Sequence, residues 1–141
     1  MKKTINKKSW RFILLDDDLF ALTMAEKLIQ KYSRRSEIIT FSASKEAIEY
    51  MEAADFIEKN TDTVFLTDLH MPEIDGFAVL DRMGNTFKTM RDRLHIFVMS
   101  AAACPDEIGR ALSYSYVIGF LSKPFSEDKM EQIIDCVQYP L

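Results

Sequence analysis

Cysteine is nearly absent: Cys104 and Cys136 stand far apart and form no CxxC pair. A disulfide scaffold and a thiolate zinc site are thereby excluded, and both residues are expected to act as small buried hydrophobes in a reducing compartment. Glycine and proline number four each, too few for a fibrous or low-complexity chain. No apolar run approaches the roughly 20 residues of a membrane span. The N-terminus lacks the apolar core and small-residue cleavage site of a secretory signal. Positive charge is not in excess either. The net charge is −4, which argues against direct binding to nucleic acid. The one basic stretch, Lys2, Lys3, Lys7 and Lys8, is expected to be a solvated arm over residues 1–9. These absences together point to a cytoplasmic location with no membrane contact.

What remains suits one globular domain over residues 10–141. The chain has 141 residues, 48% of them hydrophobic and 28% charged. At this length a domain buries roughly two thirds of its unfolded surface.

Short apolar runs alternate with helical patterns. Strands are expected at Phe12–Leu15, Ile38–Phe41, Val64–Leu66, His95–Met99 and Ile118–Leu121. Phe20, Met24, Leu28 and Tyr32 recur every fourth residue and read as one face of a first helix. Ser44 is a candidate N-cap for a second, with Ile48, Met51 and Ala54 following at helical spacing. Met71–Gly76 reads as a loop, and a third helix carries Phe77, Val79 and Leu80. Pro105 lies near the start of a fourth. Ser126 can cap a fifth, in which Met130, Ile133, Ile134 and Val137 keep the i, i+3, i+4, i+7 pattern. Five strands alternating with five helices imply an α/β fold, a doubly wound parallel sheet covered on both faces. Nearly all-apolar strands agree with burial on both sides. The last helix reaches the end of the sequence, so a stand-alone domain is expected.

Function in such a sheet gathers at the carboxyl ends of the strands. Strand one runs into Asp16, Asp17 and Asp18; strand three ends in Asp68; strand four in Ser100; strand five in Lys123. Taken singly, each has an ordinary reading as a helix cap, a turn residue, a loop hydroxyl or a surface charge. Taken together, carboxylates, a hydroxyl and an ammonium converge on one rim. Unit charges about 4 Å apart repel by several kcal/mol at intermediate dielectric. Asp16, Asp17 and Asp68 leave two negative charges that Lys123 does not offset, and a divalent cation would neutralise them. Oxygen donors without a placed His or Cys side chain favour Mg²⁺ over Zn²⁺.

The motifs at these positions resemble those of receiver domains in two-component response regulators, over Arg11 to about Gln138. FILLDDD (Phe12–Asp18) is similar to the first strand and its acidic pair, and VFLTDLHMPEIDG (Val64–Gly76) to the phosphoacceptor strand and following loop. MSA (Met99–Ala101) and FLSKPF (Phe120–Phe125) are similar to the hydroxyl and lysine motifs. The resemblance implies a flavodoxin-like strand order 2-1-3-4-5 with five helices. It implies that Asp68 accepts a phosphoryl group from a sensor histidine kinase or a histidine phosphotransfer protein. Asp17 and Asp68 would hold Mg²⁺ directly, Asp16 largely through water, and His70 through its backbone carbonyl. Lys123 and Ser100 would contact the phosphoryl oxygens, helped by the Ala101 backbone N–H, and the Lys123–Pro124 peptide would be cis. The chain would then be a switch that modifies itself rather than an enzyme acting on a separate substrate. His70 and Ala102 fall at positions that tune hydrolysis in the family.

For output, the resemblance implies a route through the fourth helix, fifth strand and fifth helix, with Ser100 and Phe120 as switch residues. Tyr114, Tyr116, Val117 and Ile118 form an apolar stretch there. The fifth helix lacks the arginine used in the dimer salt bridges of the commonest transcription-factor receivers, so a separate protein target is expected. Two rivals carry less. A haloacid-dehalogenase-like phosphatase needs a second acid where His70 stands. A receiver-like binding module acting without phosphorylation normally loses an acid or the lysine, and both are kept.

Overall fold

The computed structural model describes residues 10–58 and 61–138; the basic stretch expected over residues 1–9 lies outside them. Five strands form one parallel sheet: β1 (Trp10–Leu15), β2 (Glu37–Phe41), β3 (Asp62–Asp68), β4 (Leu94–Ser100) and β5 (Val117–Ser122). Their order is β2-β1-β3-β4-β5, the flavodoxin-like arrangement. β1, β3 and most of β4 are buried on both faces, which is why they read as continuous apolar runs.

Alternate residues serve opposite layers. Phe12, Leu14, Val64, Leu66 and Phe97 pack under α1 (Leu19–Tyr32) and α7 (Glu127–Gln138). Ile13, Leu15, Phe65, Ile96 and Val98 pack against the other helices. These are α2 (Ser44–Glu52), α3 (Ala54–Glu58), α4 (Gly76–Arg82), α5 (Gly84–Met90) and α6 (Pro105–Ser113). A 3₁₀ turn, Arg91–Arg93, leads into β4.

Seven helices among the described residues replace the expected five because two of the anticipated helices are interrupted. Ala53 adopts an extended conformation (φ −72°, ψ 142°) and separates α2 from α3. Met83 carries ψ −9° and joins α4 to α5. Ala54 is consequently exposed, and Phe56 takes the buried position. Buried Arg11 anchors α3 to the sheet: its Nη2 donates to the Phe56 carbonyl at 3.3 Å and its guanidinium lies 3.9 Å from the Phe56 ring centre.

Three further expectations are corrected. The spacing of four through Phe20, Met24, Leu28 and Tyr32 drifts about 40° per step around a 3.6-residue helix. Tyr32 is therefore buried, while Phe20 and Met24 are exposed, at 74% and 50%. The stripe that faces the sheet is Leu22, Ala25, Ile29 and Tyr32. Ser44 is the first residue of α2 rather than its cap; its hydroxyl donates to the Ile74 carbonyl at 2.8 Å. Cys104 and Cys136 are both exposed. Cys104 sits at the cap position of α6, outside the sheet layers. Cys136 lies off the stripe of Met130, Ile133 and Ile134 that α7 turns inward.

Candidate functional site at the carboxyl rim of the sheet

Asp16 is one residue beyond β1, Asp68 and Ser100 are the last residues of β3 and β4, and Lys123 is one residue beyond β5. Because the strands are parallel and in register, these ends lie side by side: Asp68 pairs with Met99, and Ser100 with Ser122. The Lys123 N–H donates to the Ser100 carbonyl at 3.0 Å, which holds the lysine segment against β4. The Lys123–Pro124 peptide is cis.

The acidic run divides its labour. Asp18 caps α1, accepting from the Phe20 and Ala21 N–H groups at 3.0 and 3.3 Å. That is the ordinary cap reading of the run, and it holds for this residue alone. Asp16 is buried and accepts the Asp18 N–H at 2.9 Å; Asp17 is exposed at the rim. Asp16, Asp17 and Asp68 each place a carboxylate oxygen within 4.8 Å of the others. Lys123 Nζ lies 2.5 Å from Asp16 Oδ2 and 3.4 Å from Asp68 Oδ2.

The charges bear the marks of crowding. Burial and then the neighbouring Asp16 push the Asp68 carboxyl above the usual range, partly offset by Lys123 and the Leu69 N–H. Burial alone would lower Lys123, but its hydrogen bond and attraction to Asp16, and then Asp68, raise it. An ammonium shared by two carboxylates stays charged and cannot neutralise a third. A hard-oxygen cluster with surplus negative charge, open to solvent at Asp17, fits a hydrated divalent cation. The clusters of metal-binding residue types found among the described residues reduce to this one.

Around the cluster, Asp68 Oδ1 accepts the Leu69 N–H at 2.8 Å, fixing the carboxylate. The loop after β3 closes on itself: the Gly76 N–H donates to the Leu69 carbonyl at 2.8 Å, and Asp75 caps α4 through the Ala78 N–H at 2.9 Å. Ser100 is buried, and its Oγ accepts the Ala102 N–H at 3.4 Å. His70 is exposed, with Nε2 3.4 Å from Glu107 Oε2. Glu107 also accepts the Cys104 N–H at 3.1 Å, and that bond is the main reason its carboxyl lies below the usual range.

Two features escaped the sequence reading. Exposed Phe20 and Met24 line a groove of about 440 Å³ with Met99, Lys123, Pro124 and Phe125, beside the carboxylates. Their four-residue spacing disguised them as core. The Tyr114–Ile118 stretch is mostly turned inward. Tyr114 donates to Asp81 Oδ1 at 2.6 Å and Tyr116 to the Leu80 carbonyl at 2.5 Å, while Val117 is buried. Desolvation and the bond to Asp81 raise the Tyr114 hydroxyl to about 12. The large apolar residues exposed on this side are Leu112 and Ile118. Phe120 is half-buried against the core. No helix among the described residues is long and apolar enough to cross a membrane.

Comparison with known proteins agrees with this geometry. A receiver protein from Dyadobacter fermentans superposes with a TM-score of 0.78 at 27% identity, covering 92% of this chain and 98% of that one. A two-component response regulator from Cytophaga hutchinsonii gives 0.80 at 20% identity, covering 94% and 98%. The "Probable C4-dicarboxylate response regulator DctR" of Priestia megaterium is 24% identical over 132 residues, which is 93% of this chain but only 53% of that protein. The chain thus spans about half of that relative, and 12% of two others, a gliding motility regulatory protein of Myxococcus xanthus and a rice response regulator. The family model for the response regulator receiver domain matches residues 12–135, so the chain belongs to the receiver domains of two-component signalling.

Proposed function

We propose that Asp68 accepts a phosphoryl group from a phosphohistidine on a sensor kinase or phosphotransfer protein, and that this changes the binding of a separate protein target. The observation that supports this most is the meeting of Asp16, Asp17 and Asp68 within 4.8 Å beside a lysine that bridges two of them. Asp16, Asp17 and Asp68, with the His70 backbone carbonyl, are the residues that would hold Mg²⁺. When bound, the cation supplies charge neutralisation for the phosphoryl oxygens.

The chain's own groups do the rest. Asp68 Oδ2 attacks phosphorus as the bond to the donor imidazole nitrogen breaks, and the electron pair returns to the imidazole. The transition state is loose, so the protein contributes placement and electrostatics rather than strong bond-making. Lys123 shifts from the carboxylates toward the incoming oxygens. The Ser100 hydroxyl and the Ala101 N–H orient the group. The donor has to approach across the open rim, where Phe20 and Met24 supply apolar surface suited to a protein rather than a small ester. The chain is a self-modifying switch in this reading, and a cytoplasmic location goes with it.

Metal dependence is the first test. Acetyl phosphate with Mg²⁺ should add one phosphoryl mass to wild type, and excess chelator should prevent it. Asp17→Ala should weaken Mg²⁺ binding, followed by NMR shifts, by at least about tenfold. Full labelling in chelator would refute the scheme.

Output is proposed to run through α6, β5 and α7. The phosphoryl group adds about −1.5 to −2 charge and strong acceptors. Ser100 moves toward it, and Phe120, half-buried on the edge strand beside Val98, rotates into the vacated space. Leu112 and Ile118 provide the apolar contact for the target. Phosphorylation need only favour one of two existing states. Beryllofluoride should alter hydrogen exchange over residues 111–120. Changes confined to the Asp68 pocket would reject this route. Phe120→Ala should retain labelling and lose the response at Leu112 and Ile118.

A further inference from the structure

We infer that Glu107 is a positioning residue for phosphoryl release: it holds the His70 imidazole across the gap between the ends of β3 and β4 and thereby slows hydrolysis at Asp68. The inference rests on Asp68 being the acceptor.

Asp68 and Ser100 end adjacent strands. On the β4 side the next three residues are Ala101, Ala102 and Ala103, whose methyl groups are too short to cover the pocket. On the β3 side Leu69 is buried, so His70 is the first side chain past Asp68 that faces outward. The contact that spans the two sides is His70 Nε2 to Glu107 Oε2, at 3.4 Å. Glu107 is itself fixed, because its other oxygen accepts the Cys104 N–H at 3.1 Å. The alanine loop is therefore tied to Ser100 at its inner end, through the Ala102 N–H, and to Glu107 at its outer end. Glu107 then ties that loop to the acceptor loop. A neutral imidazole with its proton on Nε2 can still face the carboxylate as a donor, more weakly than a charged one, so the 3.4 Å contact does not require a charge on His70.

Hydrolysis needs water to reach phosphorus opposite the Asp68 oxygen. The new oxygen–phosphorus bond forms as the Asp68–phosphorus bond breaks. The electron pair returns to the carboxylate, and inorganic phosphate leaves with the proton passing to solvent. That approach comes from outside the strand ends, the side on which His70 follows β3 and Glu107 follows β4. Holding the imidazole there narrows the path.

The test is the lifetime of the label. Wild type, Glu107→Gln, His70→Ala and the double variant are loaded with acetyl phosphate and Mg²⁺, freed of donor, and followed by intact mass. Glutamine keeps an oxygen for the Cys104 N–H and turns its amide NH₂, a donor, toward His70. Its urea midpoint should match wild type, while its label decays about three- to fivefold faster, the scale of a surface pair. His70→Ala should decay similarly fast, and the double variant no faster than either single one, because they break the same contact. Equal or slower decay in Glu107→Gln, or additive effects in the double variant, would overturn the role of Glu107. A wild type that takes no label overturns it together with the reading on which it rests.

Discussion

Asp68→Asn is expected to take up no phosphoryl group from acetyl phosphate and Mg²⁺ while wild type takes up one, and to be more resistant to urea than metal-free wild type. Both effects have one cause. Asp68 is buried beside Asp16, and those two influences raise its pKa more than Lys123 and the Leu69 N–H lower it. The folded state thus disfavours the charge that the chemistry needs. The sign follows from linkage: a carboxyl whose folded pKa exceeds its unfolded value favours folding fully below the unfolded value. That contribution is lost as pH rises through the folded pKa. At neutral pH the wild-type carboxylate therefore costs stability, and asparagine does not. The carboxamide keeps an oxygen for the Leu69 N–H, which Asp68 Oδ1 accepts at 2.8 Å. Mg²⁺ should raise the wild-type urea midpoint by binding the folded state and should do so far less for Asp68→Asn. Labelling of the variant equal to wild type would show that another residue is the acceptor. A variant less stable than metal-free wild type would show that Lys123 outweighs the repulsion.

The convergence of these residues on one rim of the sheet was legible in the sequence. A parallel sheet needs strands apolar on both faces, so the polar residues that follow each run, at once or one position later, mark a strand end. Asp16, Asp68, Ser100 and Lys123 could be read off before any contact was known. Helix faces were less legible. A four-residue period and a true helical stripe differ by about 40° per step, enough to turn Phe20 to solvent while Tyr32 enters the core. The break at Ala53 has no proline or glycine to announce it. The tyrosines illustrate a different limit. An apolar count treats Tyr114 and Tyr116 as sticky surface, yet their hydroxyls are spent on Asp81 and the Leu80 carbonyl, partners more than 30 positions away. Spacing does not reveal which distant acceptor a phenol will find. The same holds for His70 and Glu107, which meet because the loop after β3 and the start of α6 follow neighbouring strands.

Gly76→Ala should be the most damaging of the glycine-to-alanine substitutions, and Gly109→Ala its useful contrast. A Cβ built on Gly76 would lie 2.5 Å from the Asp68 carbonyl oxygen and 2.7 Å from Leu69 Cα. Both are backbone atoms of the acceptor segment, so no side-chain rotation relieves the clash. The Gly76 N–H is also bonded to the Leu69 carbonyl at 2.8 Å, which holds the two segments together. Either that bond breaks or the end of β3 moves, and overpacking of this kind costs about 3 kcal/mol. Displacement of the Asp68 backbone would also misplace its carboxylate against Lys123, so surviving folded protein should label more slowly. Gly109 lies inside α6, and a methyl added there would meet nothing within 4 Å. At that position alanine relieves only the entropy penalty of glycine in a helix and should stabilise by roughly 0.5–1 kcal/mol. Urea unfolding of the two variants measures the difference directly. If Gly76→Ala were as stable as wild type, the close approach of α4 to the acceptor strand would be dispensable, and the loop after Asp68 would owe its shape to the bonds made by Asp75 and Ser44 instead.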